Sequence, residues 1–281
     1  MASLTYSTYA VVGQGDLGTP IAAELVKQGA KVVLLTRGDG SGSPSGVEPR
    51  TVDYNDEQSL VNALNGVDVV VSVVGKLGLA VQPKLVDAAK KAGVQLFVPS
   101  EFGCRTRDVP KGGLFSVKQV VHERLEAVGL PYTLYYCGMF SDLKFGSIMG
   151  FDLEKRTASI VGEGKAKLTL TTRPDVAHYV AYTLTHLPKS QLEGGVFGIA
   201  GSRLSWLEII GVLESTFGGK FTVQHRDVAD VEKVVAEKGF AAFLDYLLLQ
   251  LDAGYGDGGN HNDLVPGWTP LTYEEAVKKY Y

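Results

Sequence analysis

Long apolar runs are missing from this 281-residue chain. None reaches the roughly 18 residues that a membrane-spanning helix requires. Cysteine is scarce: Cys104 and Cys137 are the only two, so no disulfide framework exists and a reducing compartment is expected. Basic charge is not in excess either. Lys and Arg number 27 against 31 Asp and Glu, a net charge of -4, which argues against a nucleic-acid-binding face. The opening "MASLTYSTYAVVG" has no basic segment followed by an apolar core and cleavage site, so no signal peptide is expected. A cytoplasmic protein is expected.

Several catalytic signatures are missing too. No tyrosine has a lysine four residues later, the acid–base pair of ordinary short-chain dehydrogenases. There is no H-E-x-x-H, no C-x-x-C and no zinc-like spacing among the five histidines, so no metal site is expected. Nothing marks a serine or cysteine nucleophile.

What is present is enough apolar residue for a real core, 45% of the chain against 21% charged. The first half alternates β-branched runs with helical patterns. Strands are expected at 9–13, 31–37, 67–75, 94–100 and, as one long strand, 131–140; helices are expected at 19–29, 55–66, 82–93 and 115–129. The strand runs are nearly continuous Val, Leu and Ile, as when helices cover both faces of a parallel sheet. Each helix ends at a glycine (Gly29, Gly66, Gly93, Gly129), the residue that best tolerates a left-handed terminal conformation. The fold class is therefore α/β, a Rossmann-type doubly wound parallel sheet. After about residue 145 the pattern changes. Residues 151–172 read as two short strands around "GEGK", in a hairpin or excursion. Helices are expected at 173–187 and 204–218 and in the closing "LTYEEAVKKYY", and one more strand at 194–201. In "KGFAAFLDYLLLQL" Phe240, Phe243, Leu244, Leu247, Leu248 and Leu251 share a helical face, read as core in preference to a pocket wall. Two regions are expected, 1–150 and 151–281, with the strand near 194–200 joining the first.

The stretch "AVVGQGDLGTPIAAELV" (10–26) places G-x-G-x-x-G between the first strand and the first helix. Gly13 suits a tight turn, Gly15 a close backbone approach to a pyrophosphate, and Gly18 close helix–strand packing, with the helix N-terminus facing the phosphates. Gln14, Asp16 and Leu17 complete the loop. The second strand ends "LLTRGDGSGS", with no carboxylate at the strand end itself to bind a ribose 2′-hydroxyl, although Asp39 follows Arg37 by two residues. Arg37 there fits a 2′-phosphate, with Ser41 or Ser43 able to add hydroxyls, so NADP(H) is favoured over NAD(H). The alternative for Arg37 is an exposed residue at a loop start. Ligands of such sheets bind beyond the carboxyl ends of the strands. Val74 and Gly75 close one strand, Pro99, Ser100, Glu101 and Phe102 the next, and Cys137 and Phe140 the fifth, beside the expected nicotinamide. Packing roles remain open for Phe102 and Phe140.

"FVPSEFG" (97–103) and the lysine of "LFSVKQVVHERLEAVGLPYTLYYCGMF" (114–140) resemble the isoflavone reductase-like and NmrA-like family of atypical short-chain dehydrogenases. So do residues 52–75 and 82–103, with a weaker echo through 202–221 and 269–281. The resemblance implies a Rossmann-type NADP(H) domain, a smaller C-terminal α/β substrate domain with the cleft between, and reduction of phenylpropanoid-type aromatic substrates. The family's active-site lysine falls on Lys118, with Leu114 where the common tyrosine would stand. Val117, Val120, Val121, Leu125 and Val128 are expected to form the buried face of that helix, bordered by Lys118. The chain departs from the family's usual G-x-x-G-x-x-G in its shorter "GQGDLG". The resemblance also implies an alternative, a non-catalytic NADP(H)-sensing regulator. The partner expected is a small molecule, with neither nucleic acid nor membrane; monomer and homodimer both stay open.

Overall fold

The computed structural model describes residues 5–146 and 149–281. The first four residues of the segment read for a signal peptide lie outside the described residues, as do residues 147 and 148 at the expected domain boundary. The first half contains β1 (Thr8–Val12), α1 (Gly18–Lys27), β2 (Lys31–Thr36), β3 (Val47–Thr51), α2 (Glu57–Ala63), β4 (Val69–Ser72), α3 (Gln82–Lys91), β5 (Leu96–Val98), α4 (Ser116–Val128) and β6 (Leu134–Tyr136). The second half contains β7 (Met139–Phe140), β8 (Phe151–Asp152), β9 (Thr157–Val161), β10 (Lys167–Thr171), α5 (Arg173–His186), α6 (Lys189–Leu192), β11 (Val196–Gly198), β12 (Ser202–Ser205), α7 (Trp206–Phe217), β13 (Thr222–Arg226), α8 (Val228–Lys238), α9 (Phe243–Asp252) and α10 (Tyr273–Tyr280).

Five parallel strands form the main sheet in the order β3-β2-β1-β4-β5. Backbone bonds from Phe97 N to Pro131 O (2.9 Å) and from Thr133 N to Phe97 O (3.0 Å) carry the sheet toward β6, which pairs in parallel with β11. Successive residues of β1 face opposite layers. Tyr9 and Val11 enter a core with α1 and α5, while Ala10 and Val12 enter a second core with α2, α3 and α4. Burial on both faces is why the strands carry no polar alternation. The four helix-terminal glycines all take positive φ, from 60° at Gly129 to 86° at Gly29.

A third core gathers residues mainly from the second half, with Cys104, Val109 and Phe115 from the first, around Trp206, Phe145, Phe151 and Tyr273. Its sheets have the orders β12-β10-β7 and β13-β9-β8. Helix α7 starts in a reciprocal cap. The Ser205 side chain accepts from Glu208 N, and the Glu208 carboxylate accepts from Ser205 N. Ser205→Ala is expected to cost about 1 kcal/mol, read as a lower urea midpoint at unchanged slope.

Four expectations need correction. The strand at 131–140 is two strands in different sheets. The chain turns at Gly138 (φ 63°), where a Cβ would stand 2.1 Å from Thr169 O. The strands around "GEGK" do not pair as a hairpin: β9 pairs with β8 and β13, whereas β10 pairs with β7 and β12. On α4 the buried side chains are Gln119, Val121, His122 and Leu125, and Val120 is 48% exposed. A polar pair displaces part of the expected apolar face because its partners are also buried. Finally, the helix expected over 238–251 starts at Phe243, after a 3-10 turn over Gly239–Ala242, which leaves Phe240 52% exposed. Tyr246, Leu248 and Leu251 are buried in the third core, while Phe243, Leu244 and Leu247 pack against it, partly buried.

Candidate functional site

The loop joining β1 to α1 is built around its glycines. Gly13 has φ 117°, and a Cβ added at Gly18 would meet Gly13 O at 1.9 Å and Val73 Cγ2 at 2.7 Å. Gly18 therefore seats the helix on the strand end. Among the described residues, a Cβ at Gly15 meets nothing within 4 Å, so their packing does not require that glycine. Leu17, at the helix N-cap, provides no side-chain acceptor. An open backbone face with an uncapped helix start has the chemistry of an anion site. A cleft of about 570 Å³ opens here, lined by Gln14, Gly15, Asp16, Thr19, Pro20, Asp142, Arg173 and Pro174.

Gln14 ties this loop to the one after β2 by donating from Nε2 to Ser41 O at 2.7 Å. Arg37 is exposed at the start of that second loop. Asp39 accepts from Ser41 N at 2.9 Å, and the Ser43 hydroxyl donates to Gly40 O at 2.6 Å. Asp39 thus closes its own turn, and its carboxyl is held below the usual range by the Ser41 hydrogen bonds.

The second cluster lies beyond β5. Ser100 stitches the adjoining strand ends together, donating from Oγ to Val74 O and from N to Gln82 Oε1, both at 2.8 Å. Gly75 is exposed, whereas Val74 and Pro99 are buried. Phe102 takes φ 41°, a region that a bulky side chain occupies only when its surroundings enforce it. Here both ends of the Glu101–Phe102 peptide are held. Its N–H donates to Tyr135 O at 3.0 Å, and its carbonyl accepts from Lys118 Nζ at 2.7 Å. The Phe102 ring turns into the core and stacks on Tyr135 at 6.2 Å.

The Glu101 side chain is buried beside Lys118, which is 15% exposed. Lys118 Nζ stands 3.4 Å from Glu101 Oε2, which also accepts from Thr106 Oγ1 at 2.6 Å. His122 Nε2 lies 2.8 Å from Glu101 Oε1 without hydrogen-bond alignment. Burial opposes the Glu101 charge, but Lys118, His122 and Thr106 outweigh it and hold the carboxyl below its ordinary value. The stabilisation from that depressed value is present above the ordinary glutamate value of 4.5 and is lost as pH falls through the lower folded value. Glu101→Gln is expected to cost about 2 kcal/mol at neutral pH. Its deficit relative to the parent should shrink on acidification, as urea titrations at a series of pH values would record.

The two remaining strand-end positions differ. Cys137 is fully buried with its thiol in the core, where burial pushes it up; Cys104 is pushed up to about 12 by the same cause. Both thiols are therefore held protonated. Phe140, on β7, is half-buried against the first core. Leu114 packs against the third core, so no hydroxyl stands where the common tyrosine would. His122, Thr106, Asp142 and Arg173 were not singled out by sequence motifs. Of these, only His122 carries a local signal, one helical turn beyond Lys118.

The profile of the NmrA-like family matches residues 6–257 of the chain. An isoflavone reductase homolog, IRL, of Zea mays is 28% identical over the whole of both chains. Oxidoreductase aprR of Aspergillus flavus is 30% identical, over 92% of this chain and 91% of its own. Among solved structures, AtPrR2 with NADP+ and (+)pinoresinol superposes with a TM-score of 0.80 at 23% identity, covering 98% of this chain and 99% of that one. At that identity the superposition establishes the fold.

Proposed function

The chain belongs to the NmrA-like family, and from that premise we propose that it is an NADPH-dependent reductase of a small aromatic or carbonyl substrate. The observation that carries the reading is Lys118, whose Nζ is fixed at 2.7 Å on the Glu101 carbonyl at the carboxyl end of the parallel sheet. An ammonium has three donors, and Glu101 engages two of them through its carbonyl and its carboxylate. The third is available to a substrate oxygen. Lys118 is the acid in this reading: Nζ releases a proton to that oxygen, or polarises it, while Glu101 holds the amine in place.

The glycine loop fits a dinucleotide because Gly15 leaves its backbone uncovered and α1 starts without a side-chain cap. Arg37 takes the 2′-phosphate, on the loop that Gln14 draws alongside. NADPH bound there supplies the hydride. In this reading the strand-end residues Val74, Gly75, Pro99, Ser100 and Phe102, with Phe140, contact the rest of the dinucleotide, since ligands of such sheets bind beyond the carboxyl ends of the strands. The aromatic substrate class draws support from the maize relative named as an isoflavone reductase homolog and from the pinoresinol-bound relative.

The test follows NADPH absorbance with phenylpropanoid ethers, enones, aldehydes and quinones. Consumption with at least one class is the expected result. Tight binding of NADPH with no consumption across the panel would favour a sensing protein of the same family.

A further inference from the structure

One residue of the glycine-loop cleft is out of place for a site that receives a pyrophosphate. Asp16 carries a negative charge on the loop itself, and its side chain is 85% exposed. Its partner is Arg173, the first residue of α5, whose Nη1 donates to Asp16 Oδ2 at 2.6 Å. Arg173 is only 18% exposed and is fixed from behind by Asp142. The Asp142 carboxylate accepts from Arg173 N at 3.0 Å and from Arg173 Nε at 2.7 Å. Asp142 is itself buried, with 6% of its side chain exposed. The guanidinium is thus neutralised and oriented by one carboxylate, and it presents its outer edge to a second that sits in water.

We infer that Arg173 is a pyrophosphate-binding residue of the dinucleotide site and that Asp16 is the anion it holds until a pyrophosphate displaces it. The inference rests on the NADP(H) reading above and extends it to a residue outside the glycine loop. Three features of the cleft support it. Arg173 and the glycine loop line the same space. The displaced carboxylate is already largely hydrated, so its release costs little desolvation. A guanidinium held through Nε keeps its Nη groups available for a second anion in forked geometry.

The roles give opposite signs. Asp16→Asn removes the competing charge and should tighten NADPH binding roughly three- to tenfold at low salt, with the gain shrinking as salt rises. Arg173→Gln should weaken binding about tenfold or more. Because Arg173→Gln also leaves the Asp142 carboxylate without its cation, Asp16→Asn on the exposed side is the deciding variant. NADPH fluorescence titration of the full chain reads the affinity, inorganic pyrophosphate serves as competitor, and thermal denaturation reads stability. Tighter NADPH and pyrophosphate binding by Asp16→Asn supports the inference. Equal or weaker binding by Asp16→Asn, with the parent binding normally, overturns it and leaves the cofactor reading standing. If the parent itself fails to bind NADPH, the cofactor reading and this inference fall together.

Discussion

Lys118→Met should consume NADPH about a thousandfold more slowly than the parent, while its affinity for NADPH stays within about threefold. Methionine matches the lysine stem out to its ε-carbon but ends without the amine and has no proton to give. The rest of the cluster has its own supports: Glu101 Oε2 keeps the Thr106 hydroxyl at 2.6 Å, and the Phe102 N–H keeps Tyr135 O. The loss should therefore fall on the chemical step and leave the loop intact. Single-turnover kinetics with saturating NADPH isolate that step. Lys118→Arg is the companion variant, since guanidinium retains the charge and the contact to Glu101 yet holds its proton too tightly to be an acid. A slow Arg variant with normal cofactor affinity identifies proton transfer as the missing function. Full activity in the Met variant would remove Lys118 from the mechanism.

How much of this was legible before folding depends on how local each cause is. The doubly wound sheet was legible because β1, β2 and β4 are buried on both faces, and that burial writes itself as short, largely apolar runs rich in Val and Leu. Strand β3 was not. It contains Pro49 and exposed Glu48, which an edge strand tolerates because one side lacks a neighbour. The break at Gly138 was hidden for a different reason: the atoms that require it belong to Thr169, in a strand far along the chain. Lys118 stood out through the resemblance of its segment and of "PSEFG". Its surroundings are partly local, since His122 follows it by one helical turn. Arg173 and Asp16 are 157 residues apart, and no period or motif joins them. Local chemistry writes itself into sequence, whereas a contact closed by the fold does not.

The two alanine variants of the glycine loop should separate packing from binding. Gly18→Ala puts a methyl 1.9 Å from Gly13 O and 2.7 Å from Val73 Cγ2. Backbone cannot yield as a flexible side chain does, so α1 must lift from the β1 end. We expect a loss of about 3 kcal/mol, with cofactor binding lost alongside. Gly15→Ala meets nothing within 4 Å and its φ is not in the left-handed region. Its thermal midpoint should match the parent's, or rise slightly from the lower entropy of the unfolded chain. The new methyl nevertheless stands where a pyrophosphate must approach the backbone, so NADPH affinity should fall about tenfold or more. Thermal denaturation with and without NADPH measures both quantities on each variant. Equal cofactor protection of Gly15→Ala and the parent would mean that the dinucleotide does not lie against Gly15. The loop would then be a packing device whose glycines serve α1 alone.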